Sequence, residues 1–432
     1  MPYTFLKAVN VHETFLINGR IRVMFQSGNT ILDVQKSFPP PASLLGINEL
    51  GQGKTGFTAN EYKTDRLPIC ERKELFTMKM TLRWYGTGFD SVTLEQIRQV
   101  AGVEGVITML HDMAAGEIWP VDRIRTIKSE VESAGLKILG IESVNIHDAI
   151  KIGLPERDQY IENYIETLKR LAAEDIHLVC YNFMPVFDWT RSDLAKPRPD
   201  GSTVLAYNQE EVDKIDASTI SERIGSASNG FLLPGWEPER MSRLRELFDE
   251  YSDVDAVKLF DNLVYFLKAI MPTCEKYDVK MAIHPDDPAW SVFGLPRIVT
   301  GGEKIRSMLD AVPSPYNGVT LCTGSLGSNP KNDIPAIIRS LKGRLHFAHV
   351  RNLKHERPGV FEEAAHLSSD GSMDMFEIMK ALHDIDFDGP IRPDHGRMLW
   401  GEVAMPGYGL YDRALGASYL QGLWEAIDKM SK

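Results

Sequence analysis

The sequence predicts a (β/α)8 TIM barrel with a long insertion after the fourth strand and an N-terminal extension. From residue 80 onward, short apolar runs alternate with amphipathic segments, which indicates parallel strands joined by helices. Eight such runs are present, the number of strands in a closed barrel. The chain has 432 residues. A single barrel with insertions reaches ~400 residues, so this length does not require a second large domain.

The predicted strands lie at 80–86, 103–110, 137–144, 176–183, 281–284, 319–322, 345–350 and 390–394. Segments between them have the period of amphipathic helices, as at 92–100 and 160–171. A doubly wound open sheet is the alternative, and it requires a glycine-rich dinucleotide turn after the first strand. The segment at 83–90, RWYGTGFD, lacks the third glycine of that turn, so the barrel is favoured.

Residues 1–77 differ from the rest and are predicted to be a poorly ordered extension, with 78–432 forming the catalytic barrel domain. Residues 21–25 could form one strand, but nothing obvious pairs with it. Met78 and Met80 offer alternative starts of translation, and either would make the upstream segment an artefact of the chosen start. The stretch NELGQGKT at 48–55 resembles a phosphate-binding loop, but Asn48 stands where that motif needs glycine.

One connection is much longer than the others. After the fourth strand the chain runs to about residue 253 before the next clear helix, which begins at 256. Connections of this length in compact domains are usually lids or insertions. Because it follows a barrel strand, the insertion is expected over the active-site face. It contains the stretch DWTR at 188–191 and a predicted helix at 238–251.

The composition limits the classes of binding partner and the cellular compartment that we expect for this chain. The net charge of −12 argues against a nucleic-acid partner, because such proteins usually carry a basic surface. No apolar run approaches the ~20 residues of a membrane span, and no signal peptide is recognisable. The cysteines, at 70, 180, 274 and 322, fit neither a disulfide framework nor a Cys-x-x-Cys zinc site. Reduced thiols and a cytoplasmic location are expected, and the sequence leaves a homo-oligomer open.

Four potential metal ligands end the last four predicted strands: His284, Cys322, His349 and Asp394. Taken singly, each has a structural alternative; a free cysteine, for example, is most often a small buried apolar residue. Strand carboxyl ends converge on one face of a barrel, so these side chains are expected to meet there. Mixed nitrogen, sulfur and oxygen ligands suit a divalent transition metal rather than Mg²⁺ or Ca²⁺. Zn²⁺ with four protein ligands would leave no open position.

Several segments resemble the metal-dependent mannonate dehydratase family of bacterial hexuronate breakdown, over residues 80–432. They are RWYG (83–86), ESV (142–144), CYNFMPVFDWTR (180–191), HPDDP (284–288), LPRIV (295–299), CTGS (322–325), HVRN (349–352), FEEAAHL (361–367) and RPDHG (392–396). The insertion after the fourth strand is shorter than in some members.

The resemblance implies a xylose-isomerase-like barrel that converts D-mannonate to 2-keto-3-deoxy-D-gluconate with loss of water. It implies Fe²⁺ or Mn²⁺ as the metal, held by the four residues at the strand ends. It also implies that His395 is an acid/base residue and that Tyr408 is catalytic. The chemistry agrees, because histidine titrates near neutral pH and a tyrosine of pKa ~10 can protonate a leaving hydroxyl.

Three further residues are predicted to contact the sugar acid. Arg351 follows His349 by two positions, so it faces the same side and could bind a carboxylate; a surface ion pair is the alternative. Trp84 and Tyr85 end the first strand and could line the sugar pocket, with barrel packing as the alternative.

Other function classes remain open from the residues alone. A sugar isomerase or epimerase on the same barrel would use similar metals. A metal-dependent nuclease would show a basic groove, which an acidic chain does not favour. A non-catalytic metal-binding barrel would be indifferent to His395 and Tyr408.

Overall fold

The computed structural model describes three strands near the N-terminus and residues 78–215, 231 and 242–432. The three strands are β1 (Asn10–Ile17), β2 (Arg20–Ser27) and β3 (Thr30–Lys36), which form an antiparallel sheet in that order. The strand expected at 21–25 is therefore present, and the expectation that nothing pairs with it was wrong. The rest of 1–77, including the stretch at 48–55, lies outside the described residues.

The strands after residue 78 are short and, in the barrel, largely buried. They are β4 (Lys79–Arg83), β5 (Gly105–Thr108), β6 (Lys137–Glu142), β7 (Leu178–Tyr181), β8 (Asp193–Pro197), β9 (Thr203–Asn208), β10 (Lys280–Ile283), β11 (Asn317–Cys322), β12 (Leu345–His349), β13 (Asn352–Arg357), β14 (Val360–Ala364) and β15 (Pro390–Arg392).

Eight of these strands close a parallel barrel in the order β4-β5-β6-β7-β10-β11-β12-β15, so the predicted fold is confirmed. The pairing of Ile391 with Met80 joins the last strand to the first. All four residues of β5 and all six of β11 are buried. Parallel strands covered by helices are buried on both faces, which is why they read as continuous apolar runs.

The described helices lie between and after these strands. They are α1 (Leu94–Gln99), α2 (Val121–Ser133), α3 (Asp148–Ile152), α4 (Arg157–Ala173), α5 (Gln209–Val212), α6 (Leu244–Tyr251), α7 (Ala256–Tyr277), α8 (Gly302–Ala311), α9 (Thr323–Gly327), α10 (Ile334–Ser340), α11 (Met375–Asp384) and α12 (Leu410–Met430). No helix in the described part of the chain is long and apolar enough to span a membrane.

The insertion after β7 contains more order than the sequence predicted. The expected helix appears as α6, and positions 238–241 lie outside the described residues. Upstream of it, β8 and β9 form a hairpin, and β9 pairs with β14 in a four-stranded antiparallel sheet of order β13-β14-β9-β8. We call this the accessory sheet. It joins the insertion to the segment that follows β12, a connection that the sequence analysis did not predict.

Candidate active site

A cavity opens at the carboxyl ends of the barrel strands. It holds about 610 Å³, including its opening to solvent. Six of the nine residues predicted for the site line it: Tyr85, His284, Arg351, Asp394, His395 and Tyr408. Asn182, Met184, Asp188 and Trp189, which follow β7, line it as well, so the beginning of the insertion lies at this face as expected.

The four predicted metal ligands lie together at this end of the barrel. One atom each of His284, Cys322 and His349 lies within 4.8 Å of the others. Asp394 joins them, with Oδ2 3.6 Å from Cys322 Sγ and Oδ1 3.7 Å from His349 Nδ1. Two imidazoles, a thiolate and a carboxylate form a donor set that fits a divalent transition metal.

Neighbouring groups orient the side chains of His284 and Cys322 and favour the forms that can bind a cation. His284 Nδ1 donates to the Pro285 carbonyl at 2.7 Å, which leaves Nε2 available as a ligand. Cys322 Sγ accepts from Ser325 Oγ at 3.0 Å. Burial raises the pKa of the Cys322 thiol, but the guanidinium of Arg351 outweighs it and holds that pKa well below its usual range. A thiolate, the form that binds metals, is therefore favoured.

Asp394 is ionised for a similar reason. Burial opposes its charge, but neighbouring His395 and Arg392 hold the pKa of its carboxyl well below the usual range. Its oxygens accept from Arg392 Nη2 at 2.7 Å and lie 2.7 Å from Arg351 Nε. The backbone of Asp394 is left-handed, with φ of 56°, so the chain turns sharply where β15 ends.

Arg351 belongs to a buried ion-pair network rather than to the surface. It is 1% exposed, and its guanidinium contacts Asp287 at 2.7 Å, Glu363, and Asp394. A Cβ on Gly324 would lie 2.3 Å from Arg351 Cζ, so this close approach needs glycine there. Because all three guanidinium nitrogens face protein carboxylates, the geometry argues against the predicted role of Arg351 in binding the substrate carboxylate.

His395 and Tyr408 form a hydrogen-bonded pair beside the ligands. His395 Nδ1 faces Glu363 Oε1 at 3.4 Å, and Nε2 lies 2.8 Å from the Tyr408 hydroxyl. Burial would raise the pKa of Glu363, but Arg351 lowers it to about 2, so this carboxylate can only accept. Nδ1 therefore carries the hydrogen, and Tyr408 donates to Nε2. Burial raises the pKa of Tyr408 well above its usual value, which keeps the phenol protonated.

The two aromatic residues after β4 face opposite sides. Tyr85 lines the cavity, and its ring meets that of Tyr408 edge-on at 5.2 Å. Trp84 lines a separate surface depression with Asp90 and Val92. Trp84 is therefore not among the residues that line this cavity, which favours the alternative of barrel packing. Alternating residues of a strand point in opposite directions.

Glu142 and Arg392 also line the cavity, although neither was predicted as a site residue from the sequence. Arg392 Nη2 donates to Glu142 Oε1 at 3.1 Å, and Glu142 Oε2 lies 3.5 Å from His349 Nε2. Each residue ends or follows a barrel strand, the same signal that identified the ligands. Glu142, Cys180 and His349 form a second group close enough to hold a metal. Burial keeps the pKa of Cys180 well above its usual value, so this group lacks a ready thiolate.

Comparison with known proteins gives a consistent result. The model of the D-mannonate dehydratase (UxuA) family matches residues 78–432. Mannonate dehydratase of Brachyspira hyodysenteriae is 71% identical over 355 residues, covering 82% of this chain and all of the relative. That of Thermotoga maritima is 58% identical over 357 residues, 82% of this chain and 99% of the relative. The crystal structure of mannonate dehydratase from Streptococcus suis serotype 2 superposes with a TM-score of 0.74 at 45% identity, covering 82% of this chain and 96% of that one.

Proposed function

Because the chain belongs to the D-mannonate dehydratase (UxuA) family, we propose that it converts D-mannonate to 2-keto-3-deoxy-D-gluconate with Fe²⁺ or Mn²⁺ bound by His284, Cys322, His349 and Asp394. It is a hydro-lyase that acts on mannonate in glucuronate degradation. Membership of this family disfavours the two alternatives, a sugar isomerase or epimerase and a non-catalytic metal-binding barrel. The thiolate ligand supports iron or manganese over Mg²⁺.

Loss of water requires two proton movements. The proton on C2, next to the carboxylate, must be removed, and the hydroxyl on C3 must leave with a proton. A divalent metal at the four ligands supplies Lewis-acid stabilisation of the negative charge that develops when the C2 proton leaves. Proton transfer itself falls to side chains that face the cavity.

The hydrogen bond of 2.8 Å between His395 and Tyr408 is the observation that carries the proposed mechanism. When the Tyr408 hydroxyl turns from His395 Nε2 to the substrate, the lone pair of Nε2 is free to take the C2 proton. Nδ1–H then points to Glu363, whose charge stabilises the imidazolium. Tyr408, protonated because it is buried, gives its proton to the departing C3 hydroxyl. The imidazolium then returns a proton to the phenolate across the same hydrogen bond, so both groups are reset. The enol product tautomerises to the ketone.

A metal-reconstitution assay tests this function. We expect metal-stripped protein to form no product, and protein reloaded with Fe²⁺ or Mn²⁺ to form the keto-deoxy acid from D-mannonate, followed by the periodate–thiobarbiturate colour. A panel of other aldonates defines the stereochemical range, and Mg²⁺ serves as the control metal. If neither Fe²⁺ nor Mn²⁺ supports product formation, the proposed function is wrong.

Residues 1–77 are predicted to contribute nothing to this reaction. The family match begins at residue 78, and every barrel strand and proposed ligand lies after it. A chain that begins at Met78 should therefore keep the kcat and melting temperature of the full chain, measured side by side. Failure of the shortened chain to fold would show that the N-terminal segment supports the barrel.

A further inference from the structure

Arg83 is a buried arginine with no carboxylate of the described residues in direct ion-pair contact. It is the last residue of β4, is 3% exposed and lines the active-site cavity. Its guanidinium lies over the Tyr85 ring, with Cζ 4.6 Å from the ring centroid. Nη1 is buried without a hydrogen-bond partner, and no carboxylate of the described residues lies within 4.0 Å of the guanidinium.

Two nearby buried arginines are neutralised by protein carboxylates. Arg191 contacts Asp287 and Glu363, and Arg351 contacts the same two carboxylates. A buried charge without a partner is costly. Since Arg83 faces a cavity rather than the core, an anion that enters the cavity can supply the missing partner.

Arg392 is a second arginine that lines this cavity and has unused hydrogen-bond donors. It stands on β15, the strand that pairs with β4, so the two arginines rise from neighbouring strands. Its Nη2 is taken by Glu142 and Asp394, but its Nε and Nη1 are buried without hydrogen-bond partners. The cavity therefore holds two guanidiniums with unused donors beside the metal ligand Asp394.

We propose that Arg83, assisted by Arg392, binds the carboxylate of the sugar acid. This assignment rests on the proposed function and replaces Arg351, whose three guanidinium nitrogens each lie in ion-pair contact with a protein carboxylate. A guanidinium offers a planar fork of donors that matches a carboxylate with two parallel hydrogen bonds. Arg83 thus selects aldonates over neutral sugars and polyols of the same hydroxyl pattern.

Substitution of Arg83 tests the assignment in the metal-loaded full chain. Arg83→Met should raise KM for D-mannonate by ~10–100-fold, the size of a lost charge-assisted pair. Inhibition by D-mannitol, which has the same hydroxyl pattern but no carboxylate, should stay within twofold of wild type. Arg83→Lys should give an intermediate KM because it keeps the charge but not the fork. The melting temperature of Arg83→Met should not fall, since the substitution removes an unpaired buried charge.

The outcomes separate this assignment from the proposed function. A KM for D-mannonate in Arg83→Met within twofold of wild type overturns the role of Arg83. So does an equal weakening of D-mannonate and D-mannitol, because it would mark a general defect of the pocket. Wild-type protein that forms no keto-deoxy acid would instead defeat the proposed function. Calorimetric titration of wild type and Arg83→Met with D-gluconate then still tests the carboxylate contact, which requires tighter binding to wild type.

Discussion

Replacing Tyr408 by phenylalanine is expected to lower kcat for D-mannonate dehydration by ~10²–10⁴-fold, the usual contribution of a positioned acid or base. The phenol is the donor to the leaving hydroxyl, and phenylalanine keeps the ring that meets Tyr85 at 5.2 Å. The cavity should therefore keep its shape and its metal. His395→Asn should lose a comparable factor, because it removes the group that takes the C2 proton and restores Tyr408.

The double variant adds a sharper expectation. The two residues pass one proton between them over 2.8 Å, so they act as a unit. Effects of residues that act as a unit are not additive, and the double variant should be little slower than the slower single variant. Steady-state kinetics with elemental analysis of the same samples measures both rate and metal. His177→Asn and Tyr265→Phe, at half-buried and exposed positions outside the cavity, are matched controls. Full activity of both site variants would show that other groups move the protons.

Cys322→Ala is expected to abolish stable metal binding. Loss of an outer partner of a ligand typically weakens metal affinity by ~10–100-fold, and loss of a direct ligand should weaken it at least as much. In Cys322→Ala the thiolate beside Asp394 is gone, while the Arg351–Asp394 contact remains. Elemental analysis after desalting should show loss of the metal, and kcat should fall with it.

Cys180→Ala is the matched control for this experiment. Cys180 belongs to the second candidate group with Glu142 and His349, but burial keeps its thiol protonated. We therefore expect Cys180→Ala to retain the metal. Full occupancy and wild-type rate in Cys322→Ala, together with metal loss in Cys180→Ala, would place the ion in the second group instead.

The barrel was predictable because its strands are buried on both faces. Strands such as β5 and β11 are buried at every position and mostly apolar, and the number and spacing of such runs predict the topology. The accessory sheet was not predictable in this way. Strand β8 alternates between exposed and buried residues over a short span, and β9 pairs with a strand far along the chain, as Ala206 with Glu362. Pairing between distant segments leaves no local pattern in the sequence.

The site was predictable where topology alone decides it. His284, Cys322, His349 and Asp394 meet because parallel strands end at one face. The ion pairs of Arg351 were not predicted because its partners come from other segments: Asp287 follows β10, and Glu363 lies on β14. Such partners depend on how separate loops approach one another, which strand-end reasoning does not provide.

The position of Trp84 outside the cavity lining has a simpler physical reason. The alternation of a strand already separates residue 84 from residues 83 and 85. It places Arg83 and Tyr85 on the cavity side together and Trp84 opposite them. The alternation of side chains along β4 is therefore enough to predict that Arg83 lies on the same side as Tyr85.

The accessory sheet has a consequence for redesign of this enzyme. Its strands β8 and β9 come from the loop after barrel strand β7, and β13 and β14 come from the loop after β12. Arg191, just before β8, contacts Glu363 on β14 across that junction, and it also contacts Asp287, which follows β10. Transplanting either loop alone from a homologue would expose the edge of a strand and would leave Arg191 or Glu363 without its native ion-pair partner. The two loops form one exchangeable module, and libraries aimed at new sugar acids should recombine them as a pair.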